Sequence, residues 1–184
     1  VYRNGKKGNN PGTSLLRDMA ILPQMKAMQS EDDLVLNENA KYIGMMLENL
    51  RKILILSPNP DFMGEYARIS DSVLKHDCSN LSSVLFSICK NPDVKEQLLH
   101  VIRQLPENEI KNIGFLQPGN GDVLFYLEEK YKSSYGKIYA NQLSAGTLRS
   151  LAAVAALLSE SSFSLVIIDE VDNGIHPSRA KALL

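Results

Sequence analysis

The sequence contains no tryptophan and only two cysteines, and aromatic residues make up 7% of it. Two thiols, Cys78 and Cys89, exclude a disulfide scaffold and point to a reducing compartment. His76 stands close to Cys78, but no second ligand pair follows at zinc-site spacing, so no zinc centre is expected. No apolar run approaches the roughly 20 residues that span a bilayer, and no secretory signal is visible. The expected location is the cytoplasm, with no membrane partner. Neither sign of charge dominates. Twenty basic against 21 acidic side chains leave −1, which removes any global attraction to nucleic acid or membrane. A local basic stretch, Arg3, Lys6 and Lys7, lies among glycine and asparagine and reads as a solvated loop. No internal repeat occurs.

What is present is core-forming material: 44% of the 184 residues are hydrophobic. The chain begins at Val1 and stops at Leu184 inside a stretch, 177–184, that reads as a helix, so it is expected to be part of a longer protein. Residues 1–14 read as loop. Leu15, Met19, Leu22 and Met25 have helical spacing interrupted by Pro23, which predicts a broken helix. The acids at 31–33 suit the start of a helix running to about Lys52, with Ile43, Met46, Leu47 and Leu50 as one buried stripe. Ile53–Leu56 reads as a short buried strand, stopped by Ser57-Pro58-Asn59-Pro60. Residues 62–77 read as loop with a turn of helix. Ser79 is expected to cap a helix from Asn80 to about Cys89, and Pro92 to open another whose core face is Leu98, Leu99, Ile102 and Leu105. A hairpin follows: residues 113–116, a Pro-Gly-Asn-Gly turn at 118–121, and residues 123–127. A helix at 147–159 and a strand at 165–169 close the pattern. The order predicts an α/β core carrying a helical insertion and a β-hairpin.

Two short stretches near the C-terminal end carry the chemistry. Leu165–Ile168 is apolar throughout, as a central parallel strand buried on both faces should be, and it ends in Asp169 and Glu170. Ligand sites in open α/β sheets lie at the carboxyl ends of strands. Neighbours on a strand point to opposite sides, so the two carboxylates are expected to divide the work: one holds Mg²⁺, the other orients or deprotonates a water. Upstream, Ser144-Ala145-Gly146-Thr147 opens an alanine-rich helix. The serine offers a hydroxyl, Gly146 lets the backbone approach an anion, and the helix N-terminus points at the same spot. Each feature alone is better explained as structure, a solvated strand end or a plain helix cap. Together, 25 residues apart, they leave room for one helix, a short loop and a returning strand. No Gly-x-x-x-x-Gly-Lys-[Ser/Thr] occurs. Residues 8–14 mimic it without the lysine and without a preceding apolar strand, and read as a loop.

The pair 143–149 and 165–170, with its spacing, resembles the signature helix and Walker B strand of ABC-type ATPases, including SMC and RecF-like heads. The run Ile168-Asp169-Glu170-Val171-Asp172-Asn173-Gly174-Ile175-His176-Pro177 and the segment 75–85 resemble the branch found in phage-defence proteins, and Arg68-Ile69-Ser70-Asp71 combined with residues 173–180 most resembles the PtuA-like ATPases of Septu and retron systems. The resemblance implies the C-terminal part of an ABC/SMC-type head over 53–184, preceded by a partial helical segment at 1–52, with the P-loop half upstream and the switch histidine beyond Leu184. It implies ATP and Mg²⁺ as ligands. Glu170 would be the catalytic residue, Asp169 the metal ligand, and Ser144, Ala145, Gly146 and Thr147 the nucleotide-binding turn against the opposite head. Asp172 and Asn173 would lie in the loop at the dimer interface. His176, in its His-Pro context, is expected to be structural. The implied partners are a second head in a homodimer or higher oligomer, an HNH nuclease of the PtuB kind, and in retron versions a reverse transcriptase with its msDNA; nucleic acid is within this set. Val171 replaces the usual proline, Cys78 the usual glycine, and Ala145 the glycine of transporter heads. The other readings are a RecF/Rad50-like repair ATPase, which a heptad arm or zinc hook would favour though neither is seen in the sequence, and a non-hydrolysing nucleotide-binding scaffold, against which Glu170 argues. A transporter head fits least.

Overall fold

The computed structural model describes residues 2–3, 6–7, 34–103, 109–131, 134–159, 163 and 165–170. The expected helices at 15–28 and 177–184, the loop 8–14, and Leu105, Asp172, Asn173 and His176 lie outside the described residues. The chain divides into two compact units, Val1–Lys52 and Ile53–Leu184. In the first, β1 (Tyr2–Arg3) pairs antiparallel with β2 (Lys6–Lys7), Arg3 opposite Lys6. The basic stretch expected as a loop is therefore a short hairpin. Helix α1 (Leu34–Arg51) ends on Arg51, where a cation suits the dipole. Its apolar stripe is not buried as expected, since Met46 and Leu50 are 53% and 46% exposed. No apolar sheet among the described residues of this unit is available to cover it.

The second unit holds β3 (Ile53–Leu56), α2 (Pro60–Met63), β4 (Ala67–Arg68), α3 (Leu81–Ile88), α4 (Pro92–Arg103), β5 (Ile110–Leu116), β6 (Asp122–Tyr131), β7 (Ser134–Tyr139), a 3-10 turn (Ala140–Gln142), α5 (Ala145–Leu158) and β8 (Leu165–Ile168). The α/β class holds. β3 and β8 form a parallel pair, Ile53 opposite Leu165 through Leu56 opposite Ile168. β6 is the centre of an antiparallel sheet, with β5 on one edge and β4 and then β7 along the other. The turn predicted at 118–121 is present. Gly119 and Gly121 take φ of 96° and 82°, left-handed values that side chains resist.

α3 covers β6 and α4 covers β5, so Leu81, Leu85, Leu98, Leu99 and Ile102 meet Ile113, Phe125 and Leu127 in one core. Burying a side chain such as Phe125 completely contributes about 2–3 kcal/mol. α5 runs through the middle of this unit and touches α2, α3, α4 and β8. Its residues from Gly146 to Ala156, except Arg149, are buried, so the alanines let three helices as well as a strand close in on it.

Two expectations fail for stated reasons. β8 is not buried on both faces: Leu165 and Ile167 are 48% and 44% exposed, and so is Ile55 beside them at 55%. Among the described residues the β3–β8 pair is covered only on the face of Leu54, Leu56, Val166 and Ile168. Ser79 does not cap α3. Its N–H donates to Asp77 Oδ1, and the cap position belongs to Asn80, which makes no side-chain cap bond. Asn80 is buried and ties down the loop before it, accepting from the Lys75 N–H at 2.9 Å and donating to the Val73 carbonyl at 2.8 Å. Asn80→Ala is expected to cost about 1–3 kcal/mol, read as a lowered denaturation midpoint with an unchanged slope. An unchanged midpoint would remove this loop tie from the account.

Candidate functional site

The site is built at the carboxyl end of β3 and β8. Successive residues of a strand send their backbone groups to opposite neighbours. The Leu56 carbonyl accepts from the Asp169 N–H at 2.8 Å, which extends the parallel ladder one residue past β8 and places Asp169 beside Ser57. On the other side, the Ser57 N–H donates to the His76 carbonyl at 2.7 Å and the Asn59 N–H to the Asp77 carbonyl at 3.0 Å. The His76 Nδ1 lies 3.0 Å from the Ile55 carbonyl. Residues 76–77 thus run along β3 opposite β8, a neighbour that sequence reasoning missed. Its only signal was the polar stop Ser57-Pro58-Asn59-Pro60, because the bonds that place it join residues some 20 apart.

The geometry of this flanking segment is specific. Cys78 has φ of 57°, in the left-handed region, at the position where the resemblance led us to expect glycine. The departure is one of residue type only, since the backbone keeps the conformation that glycine would favour. The Cys78 thiol is fully buried, and burial, helped by the neighbouring Asp77 charge, pushes it up to about 12. A fully buried thiol raised in this way serves as a packing group. The Asp77 carboxyl is held below its ordinary value, chiefly by the Ser79 backbone N–H that it accepts. No group of three or more metal-ligating side chains gathers among the described residues.

Asp169 and Glu170 are both exposed. The expectation that they point to opposite sides of a strand does not carry over. Strand β8 ends at Ile168, and Glu170 has φ of 50° in a turn, so the alternation of an extended chain stops at Asp169. A non-glycine residue held there costs on the order of 1–3 kcal/mol, which is often tolerated at functional positions. Exposed carboxylate oxygens at a strand end are the hard donors that Mg²⁺ prefers, and one or two of them, completed by phosphate and water, suffice.

The turn before α5 is set by local chemistry. Ser144 is extended (φ −65°, ψ 151°), and its Oγ accepts from the Thr147 N–H at 3.1 Å and lies 2.9 Å from Thr147 Oγ1. One of the two hydroxyls therefore donates to the other at the helix start. Ser144 and Ala145 are exposed, whereas Gly146 and Thr147 are buried. The open part of this N-terminus is Ser144 and Ala145, since the cap itself takes the Thr147 N–H, and a helix start of this kind suits an anion. The structure brings Ser144 to Thr147 together on α5 and Asp169 with Glu170 on the end of β8, and these two elements pack on each other.

Residues 48–184, most of the chain, match the AAA_21 family, described as "AAA domain, putative AbiEii toxin, Type IV TA system". No curated protein and no solved structure matches the chain. No helix among the described residues is long and apolar enough to cross a membrane. With a capped helix and a carboxylate-ended parallel strand in place, and a family match over most of its length, the chain belongs to this AAA family and carries a nucleotide-binding ATPase domain of the ABC/SMC-like kind.

Proposed function

We propose that this chain is the ATP-hydrolysing subunit of an anti-phage defence complex of the PtuA type, in which ATP held between two heads gates a partner HNH nuclease. The observation that carries the reading is the exposed Ser144 cap on α5 beside a β8 that ends in Asp169-Glu170. The toxin–antitoxin wording of the family description is in keeping with a defence setting. In this reading Asp169 holds Mg²⁺, and Glu170 orients the attacking water and takes its proton. When bound, Mg²⁺ neutralises charge on the phosphates. Ser144 and the exposed start of α5 at Ala145 meet the terminal phosphate carried by the opposite head. Asp172 and Asn173 belong to the loop that crosses between heads.

Ser144→Asp tests the head-to-head contact without harming the fold. Aspartate caps helices as well as serine does, so stability should change by less than about 0.5 kcal/mol. Its negative charge would face a phosphate. Light scattering should find dimers of the parent protein with ATP and Mg²⁺ and monomers of Ser144→Asp. Ser144→Asn, a neutral cap, should retain dimers. ATP-dependent dimers of Ser144→Asp would overturn the assignment of Ser144. Purification from the native operon should bring down a small HNH protein, and its absence would remove the nuclease-gating part.

A further inference from the structure

The sheet face turned away from the core carries a pattern that the ATPase reading does not use. In the register, Tyr126 faces Tyr139, Glu128 faces Lys137, and Lys130 faces Tyr135, all on one side of β6 and β7. Tyr126 lies over Gly114 of β5, where a Cβ would meet the ring at 2.4 Å, so this glycine makes room for the aromatic. Lys137 Nζ stands 4.4 Å from the Tyr126 ring centre, and Lys111 Nζ stands 4.2 Å from that of Tyr135. A register shift between Ile110 and Asn112 marks the start of β5, next to Lys111. Tyr135 is 54% exposed and, with Lys111 and Arg103, borders a cleft of about 330 Å³. Two carboxylates share this neighbourhood. Glu109 takes Lys130 at 2.8 Å, and Glu128 stands opposite Lys137. Lys111 and Lys137 have aromatic rings, and no described carboxylate within ion-pair distance, as their partners.

We propose that this face of β6 and β7, with the start of β5, binds single-stranded nucleic acid. A nucleotide offers both complements: a phosphate for the ammonium group, and a flat base that can take the ammonium's place over the ring. A duplex offers the phosphates but keeps its bases stacked and out of reach, so the unpaired strand is the form that uses the tyrosines. The chain as a whole repels polyanions slightly at −1, so the contact depends on this local array. β7 leads from this face through the 3-10 turn to Ser144, five residues after Tyr139. The binding needs no nucleotide hydrolysis, and its test is made without ATP, so its failure leaves the ATPase reading untouched.

The test uses fluorescence anisotropy of the full chain with a labelled oligothymidine of about 20 nucleotides. The expected result is binding that weakens as salt rises. Lys111→Ala with Lys137→Ala should weaken it by about tenfold or more. Tyr135→Ala should weaken it by roughly 5- to 100-fold, and Tyr135→Phe, which keeps the ring, should restore it. Glu128→Gln should tighten it. Lys90→Ala removes a lysine that also sits on a ring, Phe86, but on α3's side of the unit, and should change nothing. No binding by the parent chain would overturn the proposal. So would an unaffected lysine double variant, or equal binding of a polyglutamate peptide that is indifferent to Tyr135→Ala, which would mark a general polyanion surface.

Discussion

Glu170→Gln is expected to lower ATP turnover by at least about 100-fold while leaving ATP binding and dimer formation in place. Glutamine has the size and shape of glutamate and can occupy the same turn after β8, but it cannot accept a proton. The backbone at Glu170 is already committed to φ of 50°, so the side chain leaves a turn and not an extended strand. The turn is anchored by the Asp169 N–H on the Leu56 carbonyl, a backbone bond that the substitution does not touch. The loss should therefore be confined to the hydrolytic step, and ATP-bound dimers should accumulate. Asp169→Asn gives the contrast. It weakens the charge that would hold Mg²⁺, so both dimer formation and turnover should fall. Steady-state phosphate release and size-exclusion chromatography with ATP separate the two. Unchanged hydrolysis in Glu170→Gln would show that another group handles the water and would return the protein to the scaffold reading.

What the sequence disclosed and what it concealed divide along the range of the interactions. α5 and β8 were legible because their signals are local. Ser144 is a capping residue two positions before a glycine, and the apolar run of β8 is four residues long and followed by two acids. α4 was legible for the same reason, through Pro92 at its first position and a regular apolar face. β7 was missed because Ser134–Tyr139 shows solvent on nearly every position and is a strand only through its pairing with β6. β4 is two residues long and exists because Ala67 lies against Val123. The segment beside β3 was invisible for a similar reason, since its bonds to Ser57 and Asn59 reach across a helix and a strand. Cys78 was noted as a departure from glycine, and its left-handed backbone explains why glycine would be at home there. The division of roles between Asp169 and Glu170 rested on strand alternation, and the turn at Glu170 withdrew that support while leaving both carboxylates exposed at the strand end.

Gly64→Ala should disturb the signature turn from a distance. Gly64 closes α2 with φ of −85°, so its backbone does not require glycine. The constraint is space. A Cβ there would stand 2.7 Å from Asn141 Cα and 3.0 Å from Asn141 N, atoms of the main chain that cannot swing aside. Asn141 sits in the 3-10 turn, whose position is held by a fully buried Ala140, by the Leu143 N–H on the Ala140 carbonyl at 3.2 Å, and by the Tyr139 N–H on Gln142 Oε1 at 3.0 Å. That turn hands the chain directly to Ser144. Relief can come from α2 moving away from α5, or from the turn shifting and carrying Ser144 with it. Overpacking of this kind costs about 1–3 kcal/mol, a fall in melting temperature of roughly 2–10 °C for a chain of this size. Asn80→Ala, of similar expected cost, supplies the comparison because the bonds it removes, to Lys75 and Val73, involve no residue of the turn. If the close approach of Gly64 positions the phosphate-binding turn, Gly64→Ala should lose ATP-dependent dimers at temperatures where both variants are folded, and Asn80→Ala should keep them. Equal behaviour of the two would reduce Gly64 to a packing residue and leave Ser144 positioned by its own cap alone.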